Sequence, residues 1–128
     1  MTTHIIAEIG VNHNGDLALA KEMINAAIGC GASSVKFQLF DANGLTSSLG
    51  PTSPYQKLAG YENMRNMLAD LELSRDEIVH LFQYCSDSNV TLIVTPYSES
   101  DIDFLIEKCG ASIIKVASMF CDDIPFIE

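Results

Sequence analysis

The sequence has little positive charge: seven Lys plus Arg stand against seventeen Asp plus Glu, a formal net charge of −10 over 128 residues. Nucleic acid and acidic membrane surfaces bind through basic patches, so this balance argues against both as partners. Any anion site must be local. Long apolar runs are also missing. None approaches the ~20 residues that cross a bilayer, and Met1-Thr2-Thr3-His4 followed by Ile5-Ile6-Ala7-Glu8 has neither a basic leader nor an extended apolar core. A cytoplasmic location is expected. The four cysteines, Cys30, Cys85, Cys109 and Cys121, are scattered with no C-x-x-C pair. They read as reduced core thiols rather than disulfides or metal ligands.

What is present is a near repeat. Cys30-Gly31-Ala32-Ser33-Ser34-Val35-Lys36-Phe37 returns later as Cys109-Gly110-Ala111-Ser112-Ile113-Ile114-Lys115-Val116. Each copy reads as a helix ending on glycine and running into a strand with a lysine in its middle. Around these copies, strands are expected at His4 to Ile9, Ser34 to Phe40, Thr91 to Thr95 and Ser112 to Ala117. Helices are expected from Leu17 to Cys30, after the capping box Ser74-Arg75-Asp76-Glu77, and after the similar Ser98-Glu99-Ser100-Asp101. Pro125 falls in the first turn of a fourth helix. The polar connection from about Asp41 to Gly60, with Pro51 and Pro54, has the length of a functional loop.

Strict strand–helix alternation fits an open parallel sheet or a barrel. Polar placement separates the two. In the first strand Ile5, Ala7 and Ile9 oppose His4, Ile6 and Glu8; in the second, Val35, Phe37 and Leu39 oppose Ser34, Lys36 and Gln38. An open doubly wound sheet is covered by helices on both faces, whereas a barrel has helices outside only and keeps functional groups inside. The expectation is therefore an α/β chain forming the first four βα units of a (β/α)8 TIM barrel, incomplete as given, with residues 1–128 as the N-terminal half of that domain.

Inward residues of alternate barrel strands share layers, so Lys36 and Lys115 are expected as neighbours near the C-terminal rim. At about 8 Å and an effective dielectric of about 20, two ammoniums repel by about 2 kcal/mol. Glu8 supplies one negative charge for two positive ones, and a multiply charged ligand would supply the rest. Asn12, His13 and Asn14, between Gly10 and Gly15, gather hydrogen-bonding groups at the same rim. His13 has no second ligand at recognisable metal spacing.

Ile6-Ala7-Glu8-Ile9-Gly10-Val11-Asn12-His13-Asn14-Gly15-Asp16, Val35-Lys36-Phe37-Gln38, Tyr55-Gln56-Lys57, Leu71-Glu72-Leu73-Ser74, Thr95-Pro96-Tyr97 and Ile114-Lys115-Val116-Ala117-Ser118, in this order, resemble the N-terminal half of the sialic acid synthase (N-acetylneuraminate synthase) family. The resemblance implies condensation of phosphoenolpyruvate with an N-acetylmannosamine-type sugar, or its 6-phosphate, to a nonulosonic acid with release of phosphate. It implies that Lys36, Thr95, Lys115 and Ser118 hold phosphoenolpyruvate, that Gln38 contacts the sugar, and that Glu8 is a catalytic carboxylate. It further implies a divalent metal, manganese or magnesium, with ligands outside this chain, and a homodimer at full length.

One departure stands out. The family pattern Gly-Glu after the last serine, followed by Asn-Asn, is here Met119-Phe120 and then Asp122-Asp123. Asp122 could substitute for the glutamate, the sugar could differ, or turnover could be lost, leaving a non-enzymatic partner. A Schiff-base aldolase using Lys36 or Lys115 is the alternative reaction class.

Overall fold

The computed structural model describes residues 3–46 and 63–127. The strands are β1 (Ile6–Gly10), β2 (Ser34–Leu39) and β3 (Thr91–Pro96). Between them lie α1 (Leu17–Gly29), α2 (Ala42–Leu45), α3 (Met64–Leu71) and α4 (Arg75–Asp87). After β3 come α5 (Glu99–Glu107), a 3-10 turn at Ser118–Phe120, and α6 (Ile124–Ile127). The Tyr55-Gln56-Lys57 motif and most of the expected polar connection fall outside the described residues.

Local chemistry sets the helix starts. Asp16 caps α1 by accepting from the Ala18 and Leu19 amides. Ser74 and Glu77 form the reciprocal capping box of α4. At α5 the Ser98 hydroxyl accepts from the Asp101 amide. The Asp101 carboxylate accepts in turn from the Ser98 hydroxyl at 2.7 Å and from Arg75 of α4 at 2.9 Å. That ion pair ties the two helix starts together, and it satisfies a carboxylate that is almost wholly buried.

The strands pair in parallel in the order β1-β2-β3. Ala7 pairs with Val35, Glu8 with Lys36, Lys36 with Ile93 and Gln38 with Thr95. A register irregularity separates Glu8 from Gly10, whose φ of 59° suits a residue without a side chain. One sheet face carries Ile9, Val35, Phe37, Leu39, Leu92 and Val94. They join Ile24 of α1, Ile78 and Leu81 of α4 and Leu105 of α5 in a single buried cluster. Burial of each such side chain contributes roughly 1.5–3 kcal/mol. The opposite face carries Glu8, Lys36, Gln38, Ile93 and Thr95. Helices on one face and polar groups on the other are what the alternation of β2 predicts.

Four expectations are corrected. The fourth strand, Ser112 to Ala117, is reduced to one bridge, Ile114 to Val94, with the Lys115 amide donating to the Val94 carbonyl at 3.2 Å. A strand gains regularity from ladders on both sides, and among the described residues only β3 flanks this segment. Ile5 lies before β1 and is exposed rather than part of the apolar face. Of the cysteines only Cys85 is buried; all four are free, but Cys30 caps the end of α1 in solvent and Cys121 is also exposed. The fourth correction concerns His13. It leaves the rim and stacks on Phe37 at 5.7 Å between ring centres, almost fully buried. No helix among the described residues is long and apolar enough to cross a membrane.

Candidate active site

Parity along the strands builds the site. In β2, Lys36 and Gln38 point away from the helices, and Phe40 follows at the next step of two. In β3, Ile93 and Thr95 share that face, with Tyr97 next. Since Gln38 is registered with Thr95, Phe40 and Tyr97 close the two strands at the same level, and their rings meet edge to face at 6.0 Å. The inner face thus has an ionic level, a hydrogen-bonding level and an aromatic rim.

At the ionic level the Lys36 ammonium pairs with the Glu8 carboxylate. Lys36 is 15% exposed and Glu8 51%, so the cation is held in the wall while its partner reaches into open space. The Lys36 ammonium also lies 3.5 Å from the Thr95 hydroxyl, itself buried. A Cβ on Gly10 would lie 3.2 Å from Glu8 Oε1 and 3.9 Å from Gln38 Nε2, so the missing side chain leaves room for both groups. Glu8, Lys36, Gln38 and Thr95 therefore converge.

Lys115 and Ser118 stand apart from that group. Through the Val94–Ile114 bridge, Lys115 falls beside Thr95, two residues further along than the Lys36–Ile93 pair, and it is exposed. Barrel strands tilt by roughly 36°, so residues in one layer are offset in hydrogen-bond register between strands. An offset of two residues across two strands is compatible with a shared layer. Ser118 opens the 3-10 turn and is exposed.

The loop after β1 supports the site from behind. His13 Nδ1 accepts the Gly15 amide at 3.1 Å, so its proton belongs on Nε2. Burial pushes the His13 imidazole below its ordinary 6.5, against a hydrogen bond with the Gly10 backbone and the carboxylates of Glu77 and Asp16. His13 is thus a neutral packing group. Asn12 donates its side-chain amide to the Ile9 carbonyl at 2.9 Å.

Tyr97 and Phe40 escaped the sequence reading, although steps of two from Lys36 and Thr95 would have found them. Tyr97 also packs on Phe120 at 6.4 Å, and Phe120 stacks on Phe126 at 4.1 Å. Burial raises the Tyr97 phenol, and the Glu8 carboxylate adds to the shift. The residue that departs from the family pattern is therefore part of an aromatic cluster. Among the described residues no three His, Cys, Asp or Glu side chains gather as a metal site. They do not by themselves fit the expected divalent ion.

A parallel sheet with helices on one face and converging ionic groups on the other defines the opening βα units of a (β/α)8-barrel enzyme domain. The NeuB family model matches residues 23–128. The chain belongs to the NeuB family. It is 39% identical over 130 residues to the N,N'-diacetyllegionaminic acid synthase of Legionella pneumophila, covering all of this chain and 36% of that protein. It is 32% identical over 125 residues to the human N-acetylneuraminate-9-phosphate synthase, covering 97% of this chain and 34% of that one. The crystal structure of an N-acetylneuraminic acid synthetase from Leptospira borgpetersenii, in complex with citrate, superposes with a TM-score of 0.81 at 28% identity over 99% of this chain and 40% of that chain. The chain thus spans a little over a third of the relatives it matches.

Proposed function

We propose that this chain forms the phosphoenolpyruvate-binding part of a nonulosonic acid synthase, which joins the enol carbon of phosphoenolpyruvate to the aldehyde carbon of an N-acetylmannosamine-type sugar and releases phosphate. The observation that carries this reading is the convergence of Glu8, Lys36, Gln38 and Thr95 on the helix-free face. The relatives' own names, legionaminic, N-acetylneuraminate-9-phosphate and pseudaminic acid synthases, support it.

In this proposal the trianion is held by Lys36 and the Thr95 hydroxyl, with Lys115 and Ser118 completing the contact from the next segment. Binding must displace Glu8 from Lys36. A half-exposed ion pair contributes only about 0–1 kcal/mol, so a multiply charged ligand in the same place readily competes. The freed Glu8 carboxylate then faces the reacting carbons and takes the proton of the water that adds at C2 as phosphate departs. Gln38, one step along the strand, holds a sugar hydroxyl. A divalent ion in this reaction would draw its ligands from beyond the described residues, and the active unit would be a homodimer in the cytoplasm.

A Schiff-base aldolase would need a free amine, whereas the Lys36 ammonium is engaged by Glu8. The test is release of inorganic phosphate by the full-length protein given phosphoenolpyruvate, manganese and N-acetylmannosamine, its 6-phosphate, or a 6-deoxy diacetamido analogue. Release with at least one sugar is expected. No release with any of them would refute the proposal.

A further inference from the structure

Above the polar level of the inner face lies a row of rings with no evident partner of its own. Phe40 and Tyr97 occupy registered positions at the ends of β2 and β3, and Phe120 meets Tyr97 from the turn that begins at Ser118. Phe120 is anchored behind by its stack on Phe126. Phe40 is buried, while Tyr97 and Phe120 are partly open to solvent. Among the described residues no cation packs on these three rings; the cation–ring contacts lie elsewhere, Lys21 over Tyr84 and Arg75 over Phe104. The nearby ionised group is a carboxylate, since Glu8 contributes to the upward shift of the Tyr97 phenol.

Such a surface suits the C–H face or acyl methyl of a sugar, which aromatic rings cover favourably. It does not suit a phosphate, whose oxygens would lose water without gaining donors. The relatives divide on this chemistry by their printed names: the human, mouse and fruit fly proteins make a 9-phosphate, and the two legionaminic acid synthases do not. We infer that Phe40, Tyr97 and Phe120 form the wall of the acceptor subsite and select an unphosphorylated sugar that presents an apolar substituent there, a deoxy carbon or an acyl methyl. This rests on the proposed synthase reading. Phe120, where the resemblance led to an expected glutamate, is then a specificity residue.

The experiment compares kcat/KM of the full-length protein for N-acetylmannosamine, its 6-phosphate and the 6-deoxy diacetamido analogue, with phosphoenolpyruvate saturating. A preference of at least about tenfold for an unphosphorylated sugar over the 6-phosphate is expected. Phe120→Ala should raise KM for the preferred sugar several-fold; Phe120→Leu, which keeps the apolar volume, should recover part of it. Higher kcat/KM for the 6-phosphate would overturn this inference and leave the synthase reading intact. Equal KM in the native protein and a folded Phe120→Ala variant would also overturn it. No turnover with any sugar would instead remove the synthase reading, and this inference with it.

Discussion

Replacing Gly15 by alanine should be one of the most damaging single-methyl changes in this chain. Gly15 lies in the loop between β1 and α1 with φ 70°, a conformation that costs a residue with a Cβ roughly 1–2 kcal/mol. Its added Cβ would fall 2.6 Å from the Asp70 carbonyl oxygen and 3.5 Å from that of Glu72. Both are backbone atoms at the end of α3, so no rotamer change relieves the contact. Forcing a methyl into such a space costs roughly 1–3 kcal/mol more. The sum, about 2–5 kcal/mol, is a large part of the roughly 5–15 kcal/mol that holds a typical domain folded. Gly31 is the control, with φ 84° and nothing within 4 Å of its added Cβ. Gly31→Ala should cost the backbone term alone. Urea denaturation of the full-length protein and both variants, followed by circular dichroism, measures the two losses. If Gly15→Ala and Gly31→Ala agree within about 0.5 kcal/mol, the packing of α3 against the loop is not as described.

Lys36→Met should lower kcat/KM for phosphoenolpyruvate by about a hundredfold or more while leaving the circular dichroism spectrum unchanged, because it removes the anion's buried cation and keeps the stem's volume. A loss below about threefold would take Lys36 out of the site. Burial pushes the Cys85 thiol up to about 11, so at pH 8 only about a thousandth of it is thiolate. Disulfide-exchange reagents should modify exposed Cys30 and Cys121 first and reach Cys85 only on denaturation; early labelling of Cys85, read by peptide mass spectrometry, would contradict its burial. His13 is held below 6.5 in the folded state, so the unfolded chain binds the extra proton first as pH falls. Stability should therefore decline as pH drops through 6.5 and level off below the folded value, and His13→Gln should flatten that part of the urea-midpoint profile.

The helices were legible because their signals are local. Ser74 and Glu77 spell a capping box that forms as written. Asp101 occupies the equivalent position after Ser98, where its shorter side chain bonds Arg75 instead; that partner lies on another helix and leaves no mark in the nearby sequence. The inner face of β2 was legible from a period of two, which needs only the strand itself. The segment from Ser112 was not, because its letters repeat those of β2 while its pairing depends on what flanks it. His13 was misassigned for a related reason. A polar residue in a turn reads as exposed, yet the Gly15 amide satisfies its ring nitrogen and Phe37 covers its face, which makes burial affordable.

The same period of two explains how ionic and aromatic chemistry share one wall without interfering. Each step of two residues advances about 6.6 Å along a parallel strand. Lys36, Gln38 and Phe40 are thus set at three heights on one strand, and Ile93, Thr95 and Tyr97 at three matching heights on its neighbour. A small trianion at the Lys36 level leaves the ring level free, so one molecule can be fixed by charge while a second is recognised by shape above it. Glu8 bridges the levels: it meets Lys36 below, and its charge is felt by the Tyr97 phenol above. Occupying the lower level should therefore change the upper one, because drawing Lys36 away leaves Glu8 ionised and uncompensated beside Tyr97. Ultraviolet difference spectra in the tyrosine band, taken on adding phosphoenolpyruvate without sugar, should show a change that Tyr97→Phe abolishes. A spectrum unmoved in the native protein, at phosphoenolpyruvate concentrations that saturate turnover, would mean that the two levels are not coupled through Glu8.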